Sequence, residues 1–180
     1  MTTHLHASKV NMQAFALAGL PLTGATLLQN MERLAQETHA LQPDLLVNWQ
    51  AHAELRASSG DVADIWLHLQ VSTTLPLTCQ RCMGAVDTLL AVDQWFRFVA
   101  TEEIAMAQDD ESEEDLLVMT PQFDLLALLE DELLMALPLV PMHVQCPVAP
   151  VLSAGDLELE TIATEKPNPF AVLAQLKAEK

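Results

Sequence analysis

The chain has 180 residues, of which 51% are hydrophobic, and it carries a formal net charge of −17. This length and composition predict one well-packed domain with a short extension. The negative charge repels nucleic acids and anionic membranes at long range, so we expect neither DNA nor a membrane as a partner. A positively charged protein suits such a surface better.

The sequence opens with no apolar, positively charged leader, and no apolar run approaches the length of a membrane span. A cytoplasmic location is therefore expected. The chain has three cysteines, an odd number that argues against a disulfide framework in a reducing compartment. Metal binding, redox chemistry and simple burial remain as roles for these thiols.

The first part of the chain is weakly patterned. Residues 1–24 contain several glycine and proline breakers and predict an irregular start or an edge strand. Leu27, Met31 and Leu34 then recur at helical spacing, which predicts one amphipathic helix over residues 26–39.

Period-two alternation follows in the middle of the chain. Apolar residues alternate with polar ones over residues 45–55 and 65–71, and a polar turn at 58–61 separates the two runs. This pattern predicts an antiparallel hairpin. Residues 86–99 read as a third strand, and residues 116–119 as a short fourth one.

A dense apolar run after Asp124 predicts the central helix of the fold. Asp124 is a favourable N-cap, and Pro138 stops the helix. The fold class is thus predicted as α+β, with an antiparallel sheet, a meander or partly open barrel, packed by this buried helix. Residues 1–150 form the expected domain, and residues 151–180 an acidic linker and an extended C-terminal peptide or helix.

The third strand ends with the aromatic residues Trp95, Phe96 and Phe98, which flank Arg97. Such a cluster has two interpretations, a platform for stacking nucleic-acid bases or an anchor of the hydrophobic core. Because the chain has few aromatic residues, the core anchor is favoured.

Four residues have the spacing of a zinc site. Cys79 and Cys82 form a Cys-x-x-Cys pair, and His143 and Cys146 form a His-x-x-Cys pair. A structural zinc ion takes four such ligands in a tetrahedron, with a role in folding and none in catalysis. The alternatives are reduced thiols that never meet the second pair, or a thioredoxin-like redox motif, which the surrounding sequence supports less well.

The acidic segment and the C-terminal tail are the candidate contact regions. Eight of the fourteen residues from 102 to 115 are acidic, which predicts a solvated, mobile loop or, alternatively, a phosphate mimic or a clamp for a basic partner. Residues 166–177 either fold back on the domain or dock into a partner's groove. The candidate partner-binding residues are Arg81, Glu111, Glu113, Glu114, Lys166, Asn168, Phe170 and Leu173.

Common enzyme signatures are absent from the sequence, including glycine-rich phosphate loops and the Gly-x-Ser-x-Gly elbow. The three consecutive acids at residues 130–132 point in different directions on a helix, so they do not converge on one reacting atom. We therefore predict that the protein is not an enzyme.

Three ordered motifs carry a resemblance to a known family. They are Cys79-Gln80-Arg81-Cys82, the run from Asp124-Leu125-Leu126-Ala127 to Leu139-Val140-Pro141, and Lys166-Pro167-Asn168-Pro169-Phe170-Ala171-Val172-Leu173. Together they resemble the bacterial YceD family, the large ribosomal RNA subunit accumulation proteins. This resemblance implies a non-enzymatic role in the synthesis, processing or stability of 23S rRNA, and hence in ribosome biogenesis.

The expected mechanism is that of an assembly factor on the pre-ribosomal large subunit. It would contact rRNA directly or through a basic ribosomal protein, using the acidic segment at 102–115 and the tail at 166–177. One alternative is a zinc-stabilised protein-interaction module unrelated to ribosomes. Another is a nuclease or processing enzyme, which would need convergent acids or a histidine base on one face.

Overall fold

A computed structural model describes residues 7–57 and 63–148 of the chain. Contacts divide the chain into two compact units, Met1–Cys146 and Pro147–Lys180. All the helices and strands given below belong to the first unit. The linker and peptide expected at residues 151–180 lie outside the described residues, so their organisation stays a prediction.

The first unit is built on one five-stranded sheet whose spatial order follows the chain. The strands are β1 (Leu22–Leu27), β2 (Leu46–Arg56), β3 (Asp64–Thr78), β4 (Ala85–Val99) and β5 (Asp115–Val118). The first four form an antiparallel meander, and β5 runs parallel to β4. The predicted α+β class with a largely antiparallel meander is confirmed, and the sheet is open.

In the described residues, four α-helices accompany the sheet: α1 (Met12–Ala18), α2 (Glu32–Gln36), α3 (Glu102–Gln108) and α4 (Leu125–Met135). Among them, α4 is the predicted buried helix, and its bounds agree closely with the expectation. The Asp124 carboxylate accepts hydrogen bonds from the amides of Leu126 and Ala127, each at 3.0 Å. No helix in the described ranges is both long and apolar enough to cross a membrane.

The core lies against one face of the sheet because the strands alternate in burial. Inward residues such as Leu67 and Leu69 are fully buried, and they pack in one cluster with Phe15 of α1, Leu34 of α2 and Leu129 of α4. The opposite face carries polar and half-buried side chains. The helices therefore cover one side and leave the other open.

The single helix predicted over residues 26–39 forms only in part, as a 3-10 turn at Leu28–Asn30 and the short helix α2. Residues 22–27 form β1, which pairs with β2, and only Glu32–Gln36 are α-helical. Gly24 lies against Trp49, whose ring would stand 2.4 Å from an added Cβ. The Trp49 indole N–H also donates to the Thr26 hydroxyl at 3.1 Å. These long-range contacts override the local helical spacing.

In the segment expected to be an irregular start or an edge strand, the structure places a helix, α1, followed by the edge strand β1. The Asn11 side chain accepts a hydrogen bond from the Ala14 amide at 2.8 Å and so caps the first turn. Gly19 ends the helix with a φ of 59°, in the left-handed region that glycine adopts without strain. Both end signals are present in the sequence at the spacing of a short helix.

Two of the three consecutive acids at residues 130–132, Glu130 and Asp131, have a structural role. The Glu130 carboxylate accepts hydrogen bonds from the amides of Arg33 and Leu34 at 2.7 and 3.1 Å, at the start of α2. The Arg33 guanidinium donates to Asp131 at 2.6 Å and to Glu130 at 3.1 Å. These acids thus attach α2 to α4.

The acidic segment is folded, which differs from the mobile loop expected for it. Residues 102–108 form α3, and the segment then returns to the sheet as β5. The Arg97 guanidinium holds it in place through Glu114 at 2.6 Å, Ser112 at 2.8 Å and Gln108 at 3.1 Å. Arg97 is only 16% exposed, and besides these contacts its guanidinium lies 3.9 Å from the Asp64 carboxylate of β3.

Replacing Arg97 with methionine is expected to lower the free energy of unfolding by about 2 kcal/mol, because the half-buried Glu114 carboxylate loses its counter-charge. Amide hydrogen exchange in residues 102–114 should quicken. The matched control is Arg81→Met, since Arg81 is exposed and bonds to no described carboxylate. Equal destabilisation by the two variants, measured by urea unfolding, would contradict this role of Arg97.

Candidate metal centre

The first half of the candidate site is the tight turn between β3 and β4. The Cys79 amide donates to the Gly84 carbonyl at 2.8 Å, and the Met83 amide donates to the Cys79 carbonyl at 2.9 Å. Met83 has a φ of 61°, an uncommon value for a residue with a side chain. This turn returns the chain within a few residues and holds Cys79 and Cys82 side by side.

The second half is the segment that follows α4. The Gln80 amide donates to the Pro141 carbonyl at 2.9 Å, which ties this segment to the β3–β4 turn. The His143 amide then points at the Cys79 sulfur, with the nitrogen 3.5 Å from Sγ. Through these two backbone contacts, His143 and Cys146 are carried to the cysteine pair.

The four predicted ligands meet at one place. The Sγ atoms of Cys79 and Cys146 are 4.0 Å apart, and Cys82 Sγ is 3.4 Å from His143 Nδ1. All four ligand atoms lie within 4.8 Å of one another. Ligands of a tetrahedral zinc ion with zinc–sulfur bonds of about 2.3 Å are separated by about 3.8 Å. The donor set and the spacing therefore fit one zinc ion.

The surroundings of the thiols favour a negative charge on Cys79. Burial of its sulfur opposes ionisation, but hydrogen bonds from the amides of His143, Cys82 and Arg81, with a bond to the His143 side chain, outweigh this and lower its pKa to about 5. Burial, together with the neighbouring sulfurs of Cys82 and Cys79, raises the pKa of Cys146 to about 11. A thiolate at Cys79 is thus stabilised, whereas ionisation of Cys146 is disfavoured in the absence of a cation between the sulfurs.

The other residues proposed for partner binding are scattered. Arg81 is exposed on the cysteine turn, with its guanidinium 3.8 Å from the Met142 sulfur. Glu111 and Glu113 are exposed in the acidic segment, whereas Glu114 is bound by Arg97. Lys166, Asn168, Phe170 and Leu173 lie outside the described residues.

The aromatic residues at the end of β4 divide between the two faces of the sheet. Phe96 and Phe98 belong to the core, whereas Trp95 is half-buried on the open face. There the Arg56 guanidinium lies 4.0 Å from the Trp95 ring centroid, and the His68 ring stacks on Trp95 at 4.4 Å. The chain's own side chains therefore occupy the positions that a stacked base would take.

Comparison with known proteins identifies the family. The family model described as "Large ribosomal RNA subunit accumulation protein YceD" matches residues 67–177, well over half of the chain. The chain belongs to the YceD family. A YceD relative, the large ribosomal RNA subunit accumulation protein of Haemophilus influenzae, is 36% identical over 110 residues. The match covers 60% of this chain and 63% of the relative, which is less than two thirds of the relative's length.

No solved structure shows a significant match to this chain. The YceD match begins within β3 and includes the cysteine turn, β4, α4 and the segment that carries His143 and Cys146. The candidate metal centre thus lies wholly inside the region that defines the family, whereas α1, β1 and β2 precede it. The family description names an accumulation role for the large ribosomal RNA subunit and names no reaction.

Proposed function

We propose that this YceD protein acts, without catalysing a reaction itself, in the accumulation of large ribosomal subunit RNA during ribosome biogenesis. The family match over residues 67–177 carries this proposal. The candidate metal centre, α4, β4 and most of β3 lie within the matched region. The same part of the chain would therefore support both folding and function.

The Cys/His cluster is proposed to hold one structural zinc ion. Cys79, Cys82, His143 and Cys146 supply four ligands, so no coordination position is left for a reactive water. Bound zinc would supply electrostatic neutralisation of the thiolates and a cross-link between the β3–β4 turn and the segment after α4. This arrangement is typical of a folding role.

The charges favour a basic ribosomal protein, or a protein-covered part of the pre-ribosomal particle, as the direct contact. The chain carries a net charge of −17. Among the cations of the described ranges, Arg33, Arg56 and Arg97 are already paired with carboxylates. Since affinity for bare rRNA depends on free cations that meet phosphates, the described surface suits a positively charged protein better.

The test of the proposed function is genetic. Deleting the gene is expected to lower the ratio of large-subunit to small-subunit rRNA, and the wild-type gene should restore it. A His143→Gln variant should rescue poorly because it removes a metal ligand, whereas His39→Gln, a histidine outside the cluster, should rescue fully. An unchanged rRNA ratio in the deletion strain would overturn the proposal.

The alternative is a zinc-stabilised interaction module unrelated to ribosomes, which the compact Cys/His cluster also fits. Sedimentation of a cell extract through a sucrose gradient separates the two. Co-migration with precursors of the large subunit supports the ribosomal role. Recovery only in the free-protein fractions, with a normal rRNA ratio in the deletion strain, supports the alternative.

A further inference from the structure

One side of β4 lacks a neighbouring strand over most of its length. On one side, β3 pairs with β4 from Ala85 to Phe98. On the other side, β5 pairs only with residues 96–99. Within the part of the chain that the structure describes, residues 85–94 therefore have no strand beside them on that side. The backbone N–H and C=O groups that face away from β3 there are paired with no described strand, and across a groove from residues 91–94 lies the C-terminal end of α4.

This β4 edge, defined as residues 85–94, carries only part of the usual protection of an edge strand, namely two aspartates and, beside residues 91–94, the end of α4 across a groove. Natural edges are commonly blocked by lysine, proline or a bulge, which discourage pairing with another chain. The sequence Ala-Val-Asp-Thr-Leu-Leu-Ala-Val-Asp-Gln contains no lysine, proline or glycine. Leu89 on this edge is 71% exposed. By contrast, β1 at the opposite edge has only six residues and contains Gly24.

Negative charge surrounds the end of the β4 edge nearest β5. A groove of about 530 Å³ there is lined by Asp93, Asp115 and Glu132, together with the exposed Met135, and by no described basic residue. Burial, with repulsion from Asp115 and Asp131, raises the pKa of Glu132. Asp93 is already bonded to His68 at 2.6 Å, and Asp115 accepts a hydrogen bond from Gln94 at 2.6 Å, so Glu132 is the groove acid that no described side chain pairs with. A positively charged occupant would relieve this repulsion.

We propose that the β4 edge accepts an extended, positively charged peptide segment of a partner protein as an added strand that continues the line of β5. Main-chain hydrogen bonds would supply affinity, and Asp93, Asp115 and Glu132 would select lysine or arginine. A nucleic acid has no matching backbone ladder and is repelled by these acids. The inference deepens the proposed function, since it names the surface that would hold a basic partner.

A labelled model peptide tests the pairing directly. The probe is a fluorescein-tagged decapeptide of alternating lysine and valine, titrated with the purified full-length protein at low ionic strength and followed by fluorescence anisotropy. The control has the same sequence with alternate amides N-methylated, which removes the donors facing one side and keeps the charge. The N-methylated peptide should bind at least about ten-fold more weakly, since several hydrogen bonds are lost. No binding of the parent peptide, or equal binding of both, overturns the proposal.

Two matched variants locate the contact on the protein. Ala91 on β4 and Ala25 on β1 are both exposed strand residues at opposite edges of the sheet. Ala91→Lys should weaken binding of the lysine-valine peptide about ten-fold, whereas Ala25→Lys should change it less than about two-fold. Glu132→Gln should weaken binding and reduce its salt dependence. Circular dichroism verifies that each variant is folded, and equal losses in the two lysine variants contradict the assignment.

A second copy of the chain is the main competing occupant of the β4 edge. Analytical ultracentrifugation decides this: a wild-type dimer that Ala91→Lys dissociates, together with no peptide binding, would overturn the proposal. The peptide assay uses only purified components, so its failure leaves the ribosomal role untouched. Conversely, a normal rRNA ratio in the deletion strain would overturn the proposed function and leave the edge result standing.

Discussion

Removal of the proposed zinc ion from the Cys/His cluster is expected to lower the stability of the domain by several kcal/mol, or about 10 °C in the thermal midpoint. The cluster consists of Cys79, Cys82, His143 and Cys146. Cys82 and His143 are 61 residues apart in sequence, so a metal bridge between them closes a long loop and restricts the unfolded chain. Without the metal, the sulfurs and the ring lie together with no ion to hold them.

Calorimetry with and without a strong chelator measures this effect. The His143→Gln variant should unfold near the midpoint of the chelated wild type, and chelator should then change it little further. His39→Gln is the control, because His39 bonds to the Thr78 hydroxyl at 3.2 Å and lies outside the cluster. A chelator effect that persists undiminished in His143→Gln would show that the stabilising metal binds elsewhere.

Truncating Leu129 to alanine is expected to lower the free energy of unfolding by about 3 kcal/mol, because the side chain is fully buried and its removal leaves a cavity in the core. Leu129 lies on the face of α4 that packs into the core cluster, so the truncation removes contacts between the helix and the rest of the core. Urea unfolding followed by tryptophan fluorescence gives the value.

Met135 provides the control on the same helix. Its side chain is 83% exposed, so Met135→Ala should change the free energy of unfolding by less than about 0.5 kcal/mol. If the two truncations lower the free energy of unfolding equally, α4 does not pack as described. If Leu129→Ala leaves the protein folded but lowers the slope of the urea transition, the unfolded state has changed instead.

The elements that could be predicted from the sequence are those that depend on local residue patterns. Alternation of apolar residues located the long strands, and the capped apolar run after Asp124 located α4. The two Cys/His pairs were recognisable because zinc ligands come in closely spaced pairs, each carried by one turn. That the pairs meet depends on the Gln80 to Pro141 hydrogen bond, a contact between segments far apart in sequence.

The errors arose where distant contacts decide the local structure. The spacing of Leu27, Met31 and Leu34 fits a helix, yet pairing with β2 and the close approach of Gly24 to Trp49 make the first part a strand. The acidic segment looked like a solvated loop because its counter-ion, Arg97, is carried by another strand. The open length of the β4 edge likewise follows from how short β5 is.

The central claim is that Cys79, Cys82, His143 and Cys146 bind one zinc ion. Elemental mass spectrometry of protein purified without an affinity metal column tests it most directly. The expected result is about one zinc per chain in the wild type and in His39→Gln, and almost none in Cys79→Ser, as four ligands in one cluster imply. A wild-type protein free of zinc, or a Cys79→Ser variant that retains it fully, would contradict the claim.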